Sequence, residues 1–76
     1  MAELLAFLAR ELVDDPGAVR VESEERDGVL VLVLHVAGDD VGKVIGRQGR
    51  IARALRAVVR AGGARERRRL ILEIAD

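Results

Sequence analysis

Four residues near the middle of the chain, Gly46-Arg47-Gln48-Gly49, bracket a cation and an uncharged amide between two positions that have no side chain. Lys43, Arg50 and Arg53 flank them. Without a Cβ, a glycine takes positive φ readily and lets another backbone come close. At the start of a helix the first amides have no internal partner, point outward and carry partial positive charge. The chemistry that suits such a segment is non-covalent capture of a phosphate. Arg47 and Lys43 would supply countercharge, Arg50 and Arg53 would extend the track, and Gln48 adds a neutral donor.

Other chemistries are poorly supplied. A nucleotide-binding Walker loop needs the longer Gly-x-x-x-x-Gly-Lys-Ser/Thr, and "GKV" at Gly42 lacks the hydroxyl that holds magnesium. The spacing Gly42, Gly46, Gly49 does not match a dinucleotide fingerprint either. Ser23 is the only side-chain hydroxyl, His35 the only imidazole, and Cys, Thr and Tyr are missing. No nucleophile with a nearby base can be assembled from that inventory, so an enzyme is not expected. His35 lacks neighbours with metal-ligand spacing, and no cysteine is present for a disulfide or a thiolate site. No cofactor and no metal are expected.

Charge sharpens the phosphate reading. The formal net charge is zero, but residues 1–40 hold three basic against ten acidic groups, a balance of −7, while residues 41–76 hold ten against three, a balance of +7. Between Asp40 and Glu66 every charged residue is basic: Lys43, Arg47, Arg50, Arg53, Arg56, Arg60 and Arg65. A one-signed patch on a neutral protein is the electrostatic footprint of a polyanion site. A solvated helix face would give the same pattern.

The elements that must position this patch are legible from periodicity. "AELLAFLARELV" places Leu4, Leu5, Leu8 and Leu12 on one stripe of a first helix that ends near "DDPG"; Phe7 is expected at the core edge. "AVRVESEER" alternates as a half-buried strand, and Asp27-Gly28 turns it back into "VLVLVLHV". Leu30, Leu32, Leu34 and Val36 are expected to face helices. The opposite row, Val29, Val31, Val33 and His35, is read as a well-made strand rather than a partner surface. "GDD" should cap a short helix over Val41 to Ile45 through Asp39 or Asp40. A second helix should start near Gly49, with Ile51, Leu55, Val58 and Val59 inward and Arg50, Arg53, Arg56 and Arg60 outward. Gly62-Gly63 should end or loosen it, with Ala64 to Arg67 still compatible with helix. "RRLILEIA" closes as a strand with Leu70, Leu72 and Ile74 inward. At 76 residues and 8.3 kDa, residues 1–76 can form only one small domain. An α+β layer of helices on one face of a three-stranded sheet is the natural packing. No run approaches a membrane span and no cleavable leader opens the chain, so a cytoplasmic protein is expected.

Gly-x-x-Gly alone is a weak motif, which any glycine-containing turn between helices satisfies. The longer string "VGKVIGRQGRIARALR" resembles the K-homology (KH) core pattern, in which an apolar residue, Gly-x-x-Ile-Gly-x-x-Gly and an apolar helix follow one another. The order helix, strand, strand, helix, helix, strand is similar to the prokaryotic type II arrangement, and the likeness runs from "LLAFLARELVDDP" to "LILEIAD". Among KH proteins the chain looks most like the small stand-alone bacterial KhpA (YlqC) family. That resemblance implies a clamp of Gly46, Arg47, Gln48 and Gly49 on about four nucleotides of single-stranded RNA. It implies that Val44, Ile45 and Ile51 line or support an apolar groove for the bases, with backbone groups of the central strand reading their edges; Ile45 fits a core position equally well. It also implies a second KH protein of the KhpB (Jag) type as partner, RNA-chaperone activity, and a link to envelope and cell-length control.

One Phe and no Tyr or Trp leave little aromatic stacking, which elsewhere supplies about 1–3 kcal/mol per base. Binding by one copy should therefore be weak and sequence-tolerant, and a second module nearby, a homodimer or a KhpB-like protein, would raise effective concentration. The rival reading is a protein-interaction module that dimerises through Val58, Val59 or the Val29–Val33 row, with the arginines serving solubility.

Overall fold

The computed structural model describes residues 1–75; the expected domain runs to Asp76, which lies outside the described residues. Three helices, α1 (Ala2–Leu12), α2 (Val41–Ile45) and α3 (Arg50–Arg65), pack on one face of a sheet of β1 (Arg20–Arg26), β2 (Val29–His35) and β3 (Leu70–Ile74). The order is the expected α-β-β-α-α-β, and the short helix falls on the expected residues. β2 is central, antiparallel to β1 and parallel to β3. Asp27 and Gly28 both take positive φ, at 50° and 81°, as a two-residue hairpin turn requires, and close the ladder at the pair Arg26 and Val29.

Leu32 and Leu34 of β2 and Leu70 and Leu72 of β3 form the floor of the core, covered by Leu5 and Ala9 of α1, Val44 of α2 and Leu55 and Val59 of α3. The first helix is rotated from the expected stripe. Its buried face is Leu5, Ala6 and Ala9, with Leu8 and Leu12 half-buried, whereas Leu4 and Phe7 stand 46% and 55% exposed. Two alanines on the inward face let the helix sit close to the sheet, and that proximity turns the larger residues outward. Phe7 is thus not at the core edge.

Gly62 and Gly63 do not end α3. A Cβ on Gly63 would meet the Arg68 carbonyl oxygen at 2.5 Å and Leu70 Cγ at 3.0 Å, so the missing side chain is what lets the chain return tightly into β3. Packing there offsets the helix-propensity cost of about 1 kcal/mol per glycine. The helix stops one turn later. The Arg68 N–H donates to the Gly63 carbonyl at 2.8 Å and the Arg67 N–H to that of Ala64 at 3.2 Å, with Arg67 at φ 54°. These paired bonds are a Schellman closure with arginine where glycine is favoured.

The helix-free face is crossed by an ion pair, with Val29 and Val33 half-buried and Ile71 39% exposed beside it. Val31 is 2% exposed yet lies outside the core cluster. Arg26 reaches across it from β1, donating to both Glu73 oxygens on β3 at 3.1 and 3.2 Å and to Glu24 at 2.6 Å. The guanidinium draws the Glu24 carboxyl below its ordinary pKa, through the hydrogen bond first and its charge second. His35 is half-buried at the end of this face, with Nε2 against the Glu22 carboxylate and Nδ1 3.5 Å from Arg20.

Gly63→Ala should lower unfolding free energy by about 1–3 kcal/mol, because the neighbour it strikes is backbone. Arg67→Gly should raise it by about 0.5–1 kcal/mol by relieving the left-handed strain. Urea denaturation of both variants checks the opposite signs.

Candidate nucleic-acid interface

Two positive-φ glycines make the hinge between α2 and α3. Gly46 sits at φ 76°, ψ 171°, and a Cβ there would lie 2.8 Å from Ile51 Cβ and 2.9 Å from its backbone nitrogen. Only glycine lets the first turn of α3 press so close. Gly49, at φ 73°, has open space where its Cβ would be. One glycine is needed for inward packing, the other for backbone conformation at an open surface. Gln48 between them is also left-handed, at φ 58°, without being glycine.

The hydrogen bonds of the hinge leave its tip open. The Gly46 N–H closes α2 onto Gly42 at 2.9 Å, and the Gly49 N–H bonds the Gly46 carbonyl at 3.1 Å. Among the described residues no backbone acceptor pairs with the Arg47 and Gln48 N–H groups. They stand just ahead of α3, whose amino end adds about half a positive charge. Neither Asp39 nor Asp40 caps α2 with its side chain. Asp40 is instead 3% exposed, and its Oδ2 accepts the Asp15 N–H at 3.0 Å. Lys43 Nζ meets Asp14 Oδ2 at 3.0 Å, and this hydrogen bond, then the charge of Asp14, raises the pKa of the lysine. The "DDPG" turn thereby braces α2 from behind.

The residues expected to form the site separate into groups. Arg47 is exposed and has no carboxylate partner among the described residues. Lys43 is engaged by Asp14. Arg50 donates to Gln48 Oε1 at 3.2 Å and Arg53 to the Gln48 carbonyl at 3.0 Å. Val44 is 0% exposed, so its side chain supports the hinge from within and lines no groove. Ile51 turns toward α1, where it joins Leu8, Leu12, Ala54, Leu55 and Val58 around an apolar cleft of about 300 Å³. Ile45 is half-buried and outside the core cluster, which leaves it beside the hinge as the apolar residue still partly open.

The surface continues past Arg53. Arg56 and Arg60 lie on the β3 side of α3 and, with Leu70, Ile71 and Leu72, line a groove of about 150 Å³. The central strand cannot supply free backbone groups, since β2 is paired on both edges. β3 is the open edge next to α3. The Leu30 N–H bonds the Arg69 carbonyl at 3.1 Å and the Ala75 N–H bonds the Leu34 carbonyl at 2.9 Å. Strand alternation then turns the odd-numbered groups of β3 toward β2, and the N–H and C=O groups of Leu70, Leu72 and Ile74 toward the groove. Sequence reasoning placed the basic face but not this strand edge, because strand order is a tertiary fact. The spacing Arg53, Arg56, Arg60 was the available clue.

A helix–hinge–helix with a Gly-x-x-Gly tip, laid on a mixed three-stranded sheet and followed by an open basic-edged groove, is the construction of a KH domain. The KhpA/KhpB KH-domain family matches residues 2–74, and the chain belongs to that family. It is 51% identical over 74 residues to the RNA-binding protein KhpA of Treponema pallidum, covering 97% of this chain and 92% of that one. It is 46% identical to the KhpA proteins of Caldanaerobacter subterraneus, over 97% of this chain and 99% of the relative, and of Halalkalibacterium halodurans, over the full length of both. The family is one of RNA-binding KH proteins, not of enzymes. Among the described residues no three His, Cys, Asp or Glu side chains cluster as a metal site, and no helix is long and apolar enough to cross a membrane.

Gly46→Ala should cost about 3 kcal/mol, from the overlap with Ile51 together with the positive φ. Gly49→Ala should cost about 1 kcal/mol, from φ alone. Thermal unfolding of the two variants separates these roles.

Proposed function

We propose that the chain, as a single KH domain over residues 1–76, binds single-stranded RNA with the Gly46–Gly49 hinge as its phosphate clamp. The observation that carries this reading is the open hinge tip, where two unbonded N–H groups sit beside an unpaired Arg47 at the amino end of α3. A phosphate accepts from the Arg47 and Gln48 amides while the Arg47 guanidinium balances its charge. The bases then lie over the α3–β3 groove. Backbone groups of Leu70, Leu72 and Ile74 meet their edges, and Arg56 and Arg60 accompany the following phosphates. Ile45 supplies apolar contact near the clamp.

Affinity on this design is electrostatic. With three to five phosphates neutralised, log K should fall with log salt at a slope of roughly −2 to −3.5. Replacing both Arg47 and Gln48 by Asp should weaken binding of a labelled mixed-sequence oligonucleotide at least about tenfold while leaving the melting curve in place. Unchanged binding by this folded variant in fluorescence anisotropy would discard the clamp.

A second surface carries exposed apolar side chains. Leu4 and Phe7 stand exposed on α1 beside the apolar cleft that α1 and α3 share, and Val58 lines that cleft. We propose that a second KH module, either another copy of this chain or a KhpB-like protein, docks there, and that the paired modules act as an RNA chaperone and post-transcriptional regulator in the cytoplasm. Of the other residues considered for dimerisation, Val59 is 1% exposed and Val31 2% exposed, so neither side chain is available to a partner. Val58→Glu should leave a folded monomer in sedimentation experiments where the parent self-associates. A parent that stays monomeric at every concentration would exclude the homodimer.

A further inference from the structure

Arg53 is a cation next to the hinge, and one of its guanidinium N–H groups is already engaged within the protein. Arg53 NH2 donates to the main-chain carbonyl of Gln48 at 3.0 Å, and Arg50 NH2 donates to the Gln48 side-chain oxygen at 3.2 Å. The residue they hold is the non-glycine in the hinge that takes a left-handed conformation, at φ 58°. A side chain in that region costs about 1–2 kcal/mol, so without support the tip would relax toward other conformations. Gln48 lies between Gly46 and Gly49, both at positive φ and both conformationally loose when unsupported. The two arginines rise from the first turn of α3. Their bonds use only acceptors of Gln48, so both donors of its side-chain amide stay uncommitted to these arginines.

We infer that Arg53 is a positioning residue of the clamp: its bond to the Gln48 carbonyl fixes the hinge in the phosphate-accepting conformation before RNA arrives, and Arg50 assists through the Gln48 side chain. The same bond polarises the 48–49 peptide, whose N–H closes the tip onto Gly46. The ordering cost of the loop is therefore met during folding instead of during binding. This rests on the RNA-clamp reading for its consequence in affinity, but the locking itself is a property of the protein without RNA.

Two variants separate positioning from phosphate contact. Arg53→Lys keeps the charge and loses the planar fork; Arg53→Met loses both. In the RNA-free protein, hydrogen exchange of the Gly49 amide should accelerate severalfold in both variants, with the melting curve unchanged. Affinity for a labelled mixed-sequence single strand should fall about threefold to tenfold in both, with the salt slope kept. If Arg53 is instead a phosphate contact, Arg53→Lys binds like the parent, Arg53→Met loses about 0.7 from the slope, and Gly49 exchange does not change. That combination overturns the proposal. Should the parent bind no RNA, the clamp reading fails by itself, and the Gly49 exchange rates alone then decide whether Arg53 locks the hinge: acceleration sustains it, and no change refutes it.

Discussion

The contact on which the site depends is the close approach of Ile51 to Gly46. A short helix and a long helix meet there with no side chain between them, and the angle of that meeting decides where the residues at the tip point. If the approach were looser, Arg47 and Gln48 would have room to fold back and bond their own amides internally. With that approach in place, the tip bond is made by Gly49 N–H to the Gly46 carbonyl, and no backbone acceptor pairs with the N–H groups of Arg47 and Gln48 among the described residues. Glycine is therefore doing opposite things three residues apart: at Gly46 its absent side chain permits inward packing, and at Gly49 it permits a backbone turn where the surface is open.

The charge asymmetry of the chain acquires meaning only once it is placed on the fold. The ion pairs of the sheet use Arg20, Arg26 and Arg68, each matched to a glutamate of β1 or β3. Among the described residues none of the arginines of α3 has such a match. Exposed pairs contribute little to stability, about 0–1 kcal/mol each. Their consequence is a difference in local field: the helix-free face is neutralised, while the edge formed by α3 and β3 keeps its full positive potential. A polyanion approaching this neutral protein meets attraction from that edge.

Much of the fold was legible because its signals are local. The Asp27-Gly28 turn, the alternation in β2 and the five-residue helix bounded by Gly46 each depend on residues within one turn or one pair. What was not legible is what depends on distance in three dimensions. Asp40 looks like a cap from its neighbours, yet it is buried and its partner is Asp15, 25 residues away. The leucine stripe of α1 predicts an inward Leu4, but the buried face of the helix is Leu5, Ala6 and Ala9, and Leu4 is 46% exposed. Gly62-Gly63 reads as a stop until the return of β3 is seen to need the space. For the candidate site the same division holds. The hinge and its cations follow from spacing, whereas the pairing of β2 on both sides, which leaves β3 as the open edge beside α3, follows only from the strand order.

In the proposed complex that unpaired edge takes the place of aromatic stacking. Stacking platforms hold bases by their faces and tolerate any sequence; a strand edge holds them by their rims, through donors and acceptors fixed by the ladder. β3 can keep an open edge without inviting another strand because Arg56 and Arg60 stand along it, a row of like charges that a second copy of the same edge would have to oppose. The arginines that discourage strand pairing are the ones that favour a phosphate backbone. Protection from strand pairing and, in the proposed complex, attraction of the phosphate backbone thus come from one arrangement, and neutralising the groove arginines would weaken both together.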